Sequence, residues 1–82
     1  MTQVTMYSSK VCAFCAMAKK LLAVKGITPV EIDVSHDPQL LREMMERTGR
    51  RTVPQIYIGD THVGGYDDLV ALERKGGLAS LL

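Results

Sequence analysis

Apolar positions along this chain change period several times, and each change marks an element. Val4-Thr5-Met6-Tyr7 is a short β-prone run followed by polar Ser8-Ser9-Lys10. From Phe14 to Lys25, residues Phe14, Met17, Ala18, Leu21 and Leu22 recur at helical spacing, and Gly26 stands where a left-handed cap is expected. Val30-Glu31-Ile32-Asp33-Val34 alternates strictly and predicts a second strand after the turn at Thr28-Pro29. Strand, crossover helix and strand make a right-handed βαβ unit with parallel strands.

Ser35-His36-Asp37-Pro38 opens the next helix, with proline at a permitted first-turn position. Leu40, Leu41, Met44 and Met45 form its apolar stripe up to Gly49. Gln55-Ile56-Tyr57-Ile58, the turn Gly59-Asp60, and Thr61-His62-Val63 carry a hairpin signature. Gly64-Gly65 then breaks to a last helix from Asp67 to Lys75, and Gly76-Gly77 precedes an apolar tail, 78–82, expected to dock back on the sheet. There are no repeats, low-complexity tracts or linkers.

Length confines these elements to one core: 82 residues suit one sheet with helices packed on it and leave no room for a second domain. A single domain over residues 1–82 is therefore expected. Hydrophobic content of 46% and charge of 23% are ordinary for a globular chain. The apolar stretches fall short of the roughly 18 residues of a spanning helix, so no membrane partner is expected. Met1-Thr2-Gln3-Val4 lacks a cationic stretch followed by an apolar one, which argues against a secretory signal and for a reducing cytoplasm.

Net charge is +1, but residues 1–30 hold Lys10, Lys19, Lys20 and Lys25 and no acid. That bias predicts a positive field around Cys12, favouring thiolate and an anionic small molecule. It is too small a patch, without aromatic interleaving, for nucleic acid.

The candidate chemistry is Cys12-Ala13-Phe14-Cys15, the only two sulfurs of cysteine in the chain, at the start of the first helix. On a helix the two Cα atoms lie roughly 5 Å apart, within reach of a disulfide. So small a ring stabilises by only about 1.9 kcal/mol in the chain-entropy model, which makes a structural staple poorly placed. Zinc needs four ligands, and only His36 and His62 are added, far from ligand spacing. A CxxC beside a βαβ pattern is a thioredoxin-like redox motif. At the helix N-terminus Cys12 faces unsatisfied N–H groups and the positive end of the dipole, which stabilise the attacking thiolate. Cys15, one turn further in, is expected to be buried and to act as the resolving thiol.

Three more motifs narrow the class: Lys10 two residues before Cys12, Thr52-Val53-Pro54 before the third strand, and Gly64-Gly65-Tyr66-Asp67-Asp68 after the hairpin. Together they resemble a glutaredoxin of the small bacterial, dithiol kind, over essentially the whole chain. The resemblance implies a minimal thioredoxin fold, β-α-β-α-β-β-α with a four-stranded mixed sheet, in an α/β chain. It implies a monomeric oxidoreductase that uses glutathione to reduce disulfide-containing or glutathionylated client proteins through Cys12 and Cys15.

The implied glutathione contacts are Lys10, Phe14, Arg51, Thr52, Val53, Pro54, Gly65, Tyr66, Asp67 and Asp68, with Arg50 an alternative to Arg51 for the glycyl carboxylate. A cis Pro54 is implied too, leaving the Val53 N–H and C=O free to pair with an extended peptide. Gly64-Gly65 admits a ligand close to backbone, the helix from about Asp67 offers N–H groups to a carboxylate, and Asp68 accepts from an ammonium. N-terminal capping is the other role open to both aspartates. Tyr7 and Tyr66 are candidates either for the groove wall or for the core.

The spacer departs from the family's Pro-Tyr, with Ala13 and Phe14 instead, which bears on the redox potential. Spacers without proline also occur in members that hold an iron–sulfur cluster between two subunits. That is one alternative here, and a redoxin fed by thioredoxin reductase is another.

Overall fold

The computed structural model describes residues 2–82. Its elements are β1 (Val4–Ser8), α1 (Ala13–Val24), β2 (Val30–Asp33), α2 (Pro38–Thr48), β3 (Gln55–Ile58), β4 (Thr61–Gly64), α3 (Tyr66–Arg74) and α4 (Gly77–Leu81). The strands form one mixed sheet in the order β2-β1-β3-β4. β1 and β2 run parallel, as a crossover through α1 requires, and β3 is antiparallel to both β1 and β4. Gly59 and Asp60 turn the hairpin between Ile58 and Thr61, with Gly59 at φ +59°. No helix among the described residues is long and apolar enough to cross a membrane.

The period-2 strands sort their side chains onto two faces. Val4, Met6, Ile56 and Ile58 pack with Ala18 and Leu22 of α1, Leu69 of α3 and Leu78 of α4. On the opposite face Tyr7, Val34 and Tyr57 pack with Met44 of α2, flanked by Leu40, Leu41 and Met45. The sheet is thus a middle layer with α2 on one side and the other helices on the other.

Helix limits follow local chemistry. Asp37 caps α2 by accepting from the Gln39 and Leu40 N–H groups at 3.0 and 3.2 Å, Pro38 fills the first position, and Gly49 closes the helix at φ +71°. Gly26, at φ +77°, turns the chain out of α1.

Three expectations are revised. Helix α1 begins at Ala13 rather than Phe14, because Cys12 itself is the cap. The alternation over Val30–Val34 does not become an alternating burial: Val34 is buried after β2 ends and Val30 is 49% exposed. The cause is position, since β2 is an edge strand with cover only toward its end. The tail does dock on the sheet, but as the extra helix α4, with Leu78 fully buried.

Candidate active site

Cys12 leaves β1's polar loop in an extended conformation, φ −150° and ψ 106°, and caps α1 with its own side chain. Its sulfur accepts the Cys15 backbone N–H at 3.1 Å. That donor is one of the orphan N–H groups every helix start exposes. Placing sulfur rather than oxygen at the cap directs the positive end of α1 onto the reactive atom. The α1 first turn contains no acid to offset this field. Cys15, one turn on, is 2% exposed, while Cys12 is half-buried. The two are joined as a disulfide with Cα atoms 5.2 Å apart.

Facing the pair from across the groove is the loop before β3. The Val53-Pro54 bond is cis, Val53 lies outside the β3 ladder, and its carbonyl oxygen stands 3.8 Å from Cys12 Sγ. The groove beside them has a volume of about 330 Å³, within the range of small-molecule sites. Its floor and one wall are Thr52, Val53 and Pro54; the other wall is Gly65, Tyr66, Asp67 and Asp68 at the start of α3. Phe14, 56% exposed, overhangs it with its ring centroid 6.0 Å from that of Tyr66.

Asp68 organises the α3 side. Its Oδ2 accepts the Gly65 N–H at 2.9 Å, half of a capping box, and also accepts from Arg50 Nη1 at 2.7 Å. The Arg50 bond, and after it the Gly65 N–H, hold the Asp68 carboxyl below the usual carboxylate range. Capping and a charged groove wall are therefore one arrangement rather than two rival roles. Gly64 is what leaves room for it: at φ +115°, it has no side chain, and a Cβ there would meet Asp68 Cγ at 2.8 Å. At Gly65 a Cβ would meet only ordinary contacts, 3.5 Å from the Pro54 carbonyl oxygen.

The remaining sequence candidates fall elsewhere. Arg50, not Arg51, lines the groove, and Arg51 is exposed outside it. The chain leaves α2 through Gly49, and the Arg50 N–H donates to Thr48 Oγ1 at 3.0 Å, which swings Arg50 toward α3. Lys10 lies outside that groove, in a polar cleft that Cys12 and Cys15 themselves line together with Ser8, Glu31 and Asp33. Tyr7 is buried under α2, its hydroxyl accepting from Arg47 at 3.2 Å, whereas Tyr66 is in the groove.

Folding pairs two of the four lysines of the basic first third with acids. Lys19 pairs with Glu31 at 3.4 Å and Lys25 with Glu73 at 2.7 Å, because β2 and α3 bring acids from later in the sequence. The helix start supplies positive potential at Cys12, and Lys10 and Lys19 line a cleft with that sulfur. Sequence reasoning also missed Gln55 and His62, which lie just behind the groove. A glutamine inside the apolar run Gln55–Ile58 was the available signal, since buried polar groups require partners.

An iron–sulfur cluster takes four thiolate ligands. This chain offers two, and among the described residues no group of three or more Cys, His, Asp or Glu is placed to hold a metal. A cluster here would need sulfur from outside the chain, and the groove chemistry above does not involve one.

A redox-ready cysteine at a helix start, faced by a cis-proline loop on a mixed four-stranded sheet, defines a thiol:disulfide oxidoreductase of the thioredoxin fold. Comparison with known proteins narrows this. The glutaredoxin family model matches residues 4–63. A glutaredoxin of Neisseria meningitidis serogroup B is 49% identical, with 100% of this chain and 98% of that protein covered. The solution structure of a glutaredoxin from Brucella melitensis is 56% identical with a TM-score of 0.88, covering 100% of this chain and 89% of that one. A crystal structure of a buckwheat glutaredoxin–glutathione complex, 28% identical, has a TM-score of 0.90 and covers 99% and 76%. The chain belongs to the glutaredoxin family.

Proposed function

We propose that the chain is a glutathione-dependent oxidoreductase that reduces protein disulfides and glutathione mixed disulfides. The observation that carries this reading is the groove beside Cys12, which pairs free backbone at Val53 with a charged wall at Arg50 and Asp68. Glutathione has matching parts: a peptide-like cysteinyl centre, a γ-glutamyl end with both charges on one carbon, and a glycyl carboxylate. The Val53 N–H and C=O take the cysteinyl backbone by a one-residue β-augmentation. First-turn N–H groups of α3 take the γ-glutamyl carboxylate, and Asp68 Oδ1, unused by Arg50, takes its ammonium. Arg50 is the cation of the groove lining and takes the glycyl carboxylate. The solved complex of a related glutaredoxin with glutathione supports the ligand class.

The chemistry follows from the two sulfur environments. Cys12 thiolate attacks one sulfur of the substrate disulfide, that S–S bond breaks, and the departing thiolate takes a proton. Cys15 then loses its proton and attacks Cys12 Sγ, releasing the second substrate thiol and closing the Cys12–Cys15 disulfide. Two glutathione molecules reduce it, leaving as glutathione disulfide. For a glutathionylated substrate, a second glutathione resolves the Cys12 mixed disulfide directly, without Cys15. On this reading the protein works as a monomer on disulfide-bearing or glutathionylated clients in a reducing cytoplasm.

Turnover of a small glutathione mixed disulfide, coupled through glutathione and glutathione reductase to NADPH oxidation, tests the proposal. Cys12→Ser is expected to abolish it. Cys15→Ser is expected to keep it while losing reduction of protein disulfides. Equal loss in both variants, or activity only when thioredoxin reductase replaces the glutathione system, refutes the assignment.

A further inference from the structure

Gln55 is fully buried at the start of an otherwise apolar strand, so its partners explain its presence. Its Nε2 donates to the Thr52 carbonyl oxygen at 3.0 Å and lies 3.4 Å from Thr52 Oγ1. Its Oε1 is 2.8 Å from His62 Nε2. These contacts allow one proton arrangement. The Thr52 carbonyl only accepts, so the amide nitrogen faces Thr52 and the amide oxygen faces His62; His62 Nε2 must carry hydrogen and donate.

His62 is itself held from several sides. It is the β4 residue opposite Tyr57 of β3, and its ring stacks on the Tyr57 ring with centroids 4.9 Å apart. The Arg47 guanidinium, from α2, lies 3.8 Å from the centroid of the same tyrosine ring. The cross-strand pairing is local to a bulge, since Ile56 opposes Gly64 while Tyr57 opposes His62, leaving Val63 unmatched. The bulge lets Gly64 reach α3 while His62 stays in register with Tyr57.

We propose that His62 is a positioning residue for the substrate groove: its Nε2–H orients Gln55, and Gln55 clamps Thr52 so that the adjoining Val53 peptide stays aimed at Cys12. His62 does not line that groove and shares a side cleft with Asp68, but its side-chain hydrogen bond is to Gln55. The consequence for glutathione rests on the reading given above, in which Val53 takes the cysteinyl backbone.

The clamp does not depend on the charge of the imidazole, because Nε2 keeps its hydrogen whether or not Nδ1 is protonated. Burial is the main influence holding the ring neutral, with Arg50 and Arg47 acting in the same sense and Asp68 against them. Lys75, the residue that caps the end of α3, lines the same side cleft as His62.

His62→Phe keeps a ring to stack on Tyr57 and removes only the donor, while His62→Gln returns an N–H near the Nε2 position. Reduced wild type and both variants are compared for KM and kcat on a glutathionylated peptide, hydrogen exchange of the Gln55 side-chain amide that is bonded to the Thr52 carbonyl, and iodoacetamide alkylation of Cys12. His62→Phe is expected to raise KM about three- to tenfold, the effect of one hydrogen bond, with kcat and alkylation unchanged within about twofold. The Gln55 side-chain amide exchanges faster, and His62→Gln restores both KM and exchange. Unchanged exchange in His62→Phe overturns the clamp, as does alkylation falling in step with KM or a His62→Gln variant no better than His62→Phe. A wild type that does not prefer the glutathionylated peptide to the same peptide capped with cysteamine removes glutathione as the ligand. Faster exchange in His62→Phe in that case still supports the clamp.

Discussion

One oxygen of Asp68 accepts from two donors at once, Arg50 Nη1 at 2.7 Å and the Gly65 N–H at 2.9 Å, and this sets how the site responds to acid. Both donors favour the ionised form, so the folded carboxyl titrates lower than its unfolded value of about 3.9. A depressed folded pKa means the pair stabilises fully above that unfolded value, and the contribution is lost as pH falls through the folded one. The pair is well exposed, which keeps its worth below about 1 kcal/mol. Thermal midpoints measured between about pH 6 and 2.5 are expected to fall more steeply for wild type than for Asp68→Asn, with the gap between them closing in acid. Parallel curves would show that the carboxylate is not stabilised by its partners. At pH 7 the same variant is expected to raise KM for a glutathione mixed disulfide without slowing alkylation of Cys12, since Asp68 touches the groove and not the sulfur.

At the scale of elements, α1 and α2 begin alike but to different ends. Each is capped by a side chain that accepts from its own first turn: Cys12 from the Cys15 N–H, and Asp37 from the Gln39 and Leu40 N–H groups. Asp37→Ala is expected to cost about 1 kcal/mol in urea unfolding and to leave turnover unchanged, because α2 starts away from the groove. An activity loss larger than the stability loss explains would contradict that separation.

Helices α1 and α2, the hairpin and the βαβ order were legible because each is written in a local period with a turn or cap at its end. Gly26, Gly49 and Gly59 sit at positive φ where turns were expected. Edge β2 was less legible, since alternation reports which residues share a face and not whether a helix covers them. The choice of Arg50 over Arg51 depended on how the chain rotates out of Gly49 and onto Thr48, which no period records. Gln55 and His62 were hidden for a related reason: their meaning lies in a hydrogen bond across seven residues of hairpin.

Across the whole molecule, folding redistributes what the linear sequence segregates. Lys19 and Lys25, two of the four lysines of the first third, meet acids of β2 and α3. The last helix is recruited the same way: Leu78 of α4 is fully buried among Val4, Met6, Ile56 and Leu69. Leu78→Ala is expected to cost about 2–5 kcal/mol in chemical unfolding, as cavities in close-packed cores do. Retention of full stability would mean that the C-terminal turn is dispensable to the core.

The two residues between the sulfurs sit outside the buried core. Ala13 and Phe14 occupy the first turn of α1 and are both exposed, while the layer beneath them rests on Cys15 and Ala18. Substitutions at these two places therefore leave the scaffold beneath intact, and at Phe14 they reshape the groove beside Tyr66 as well.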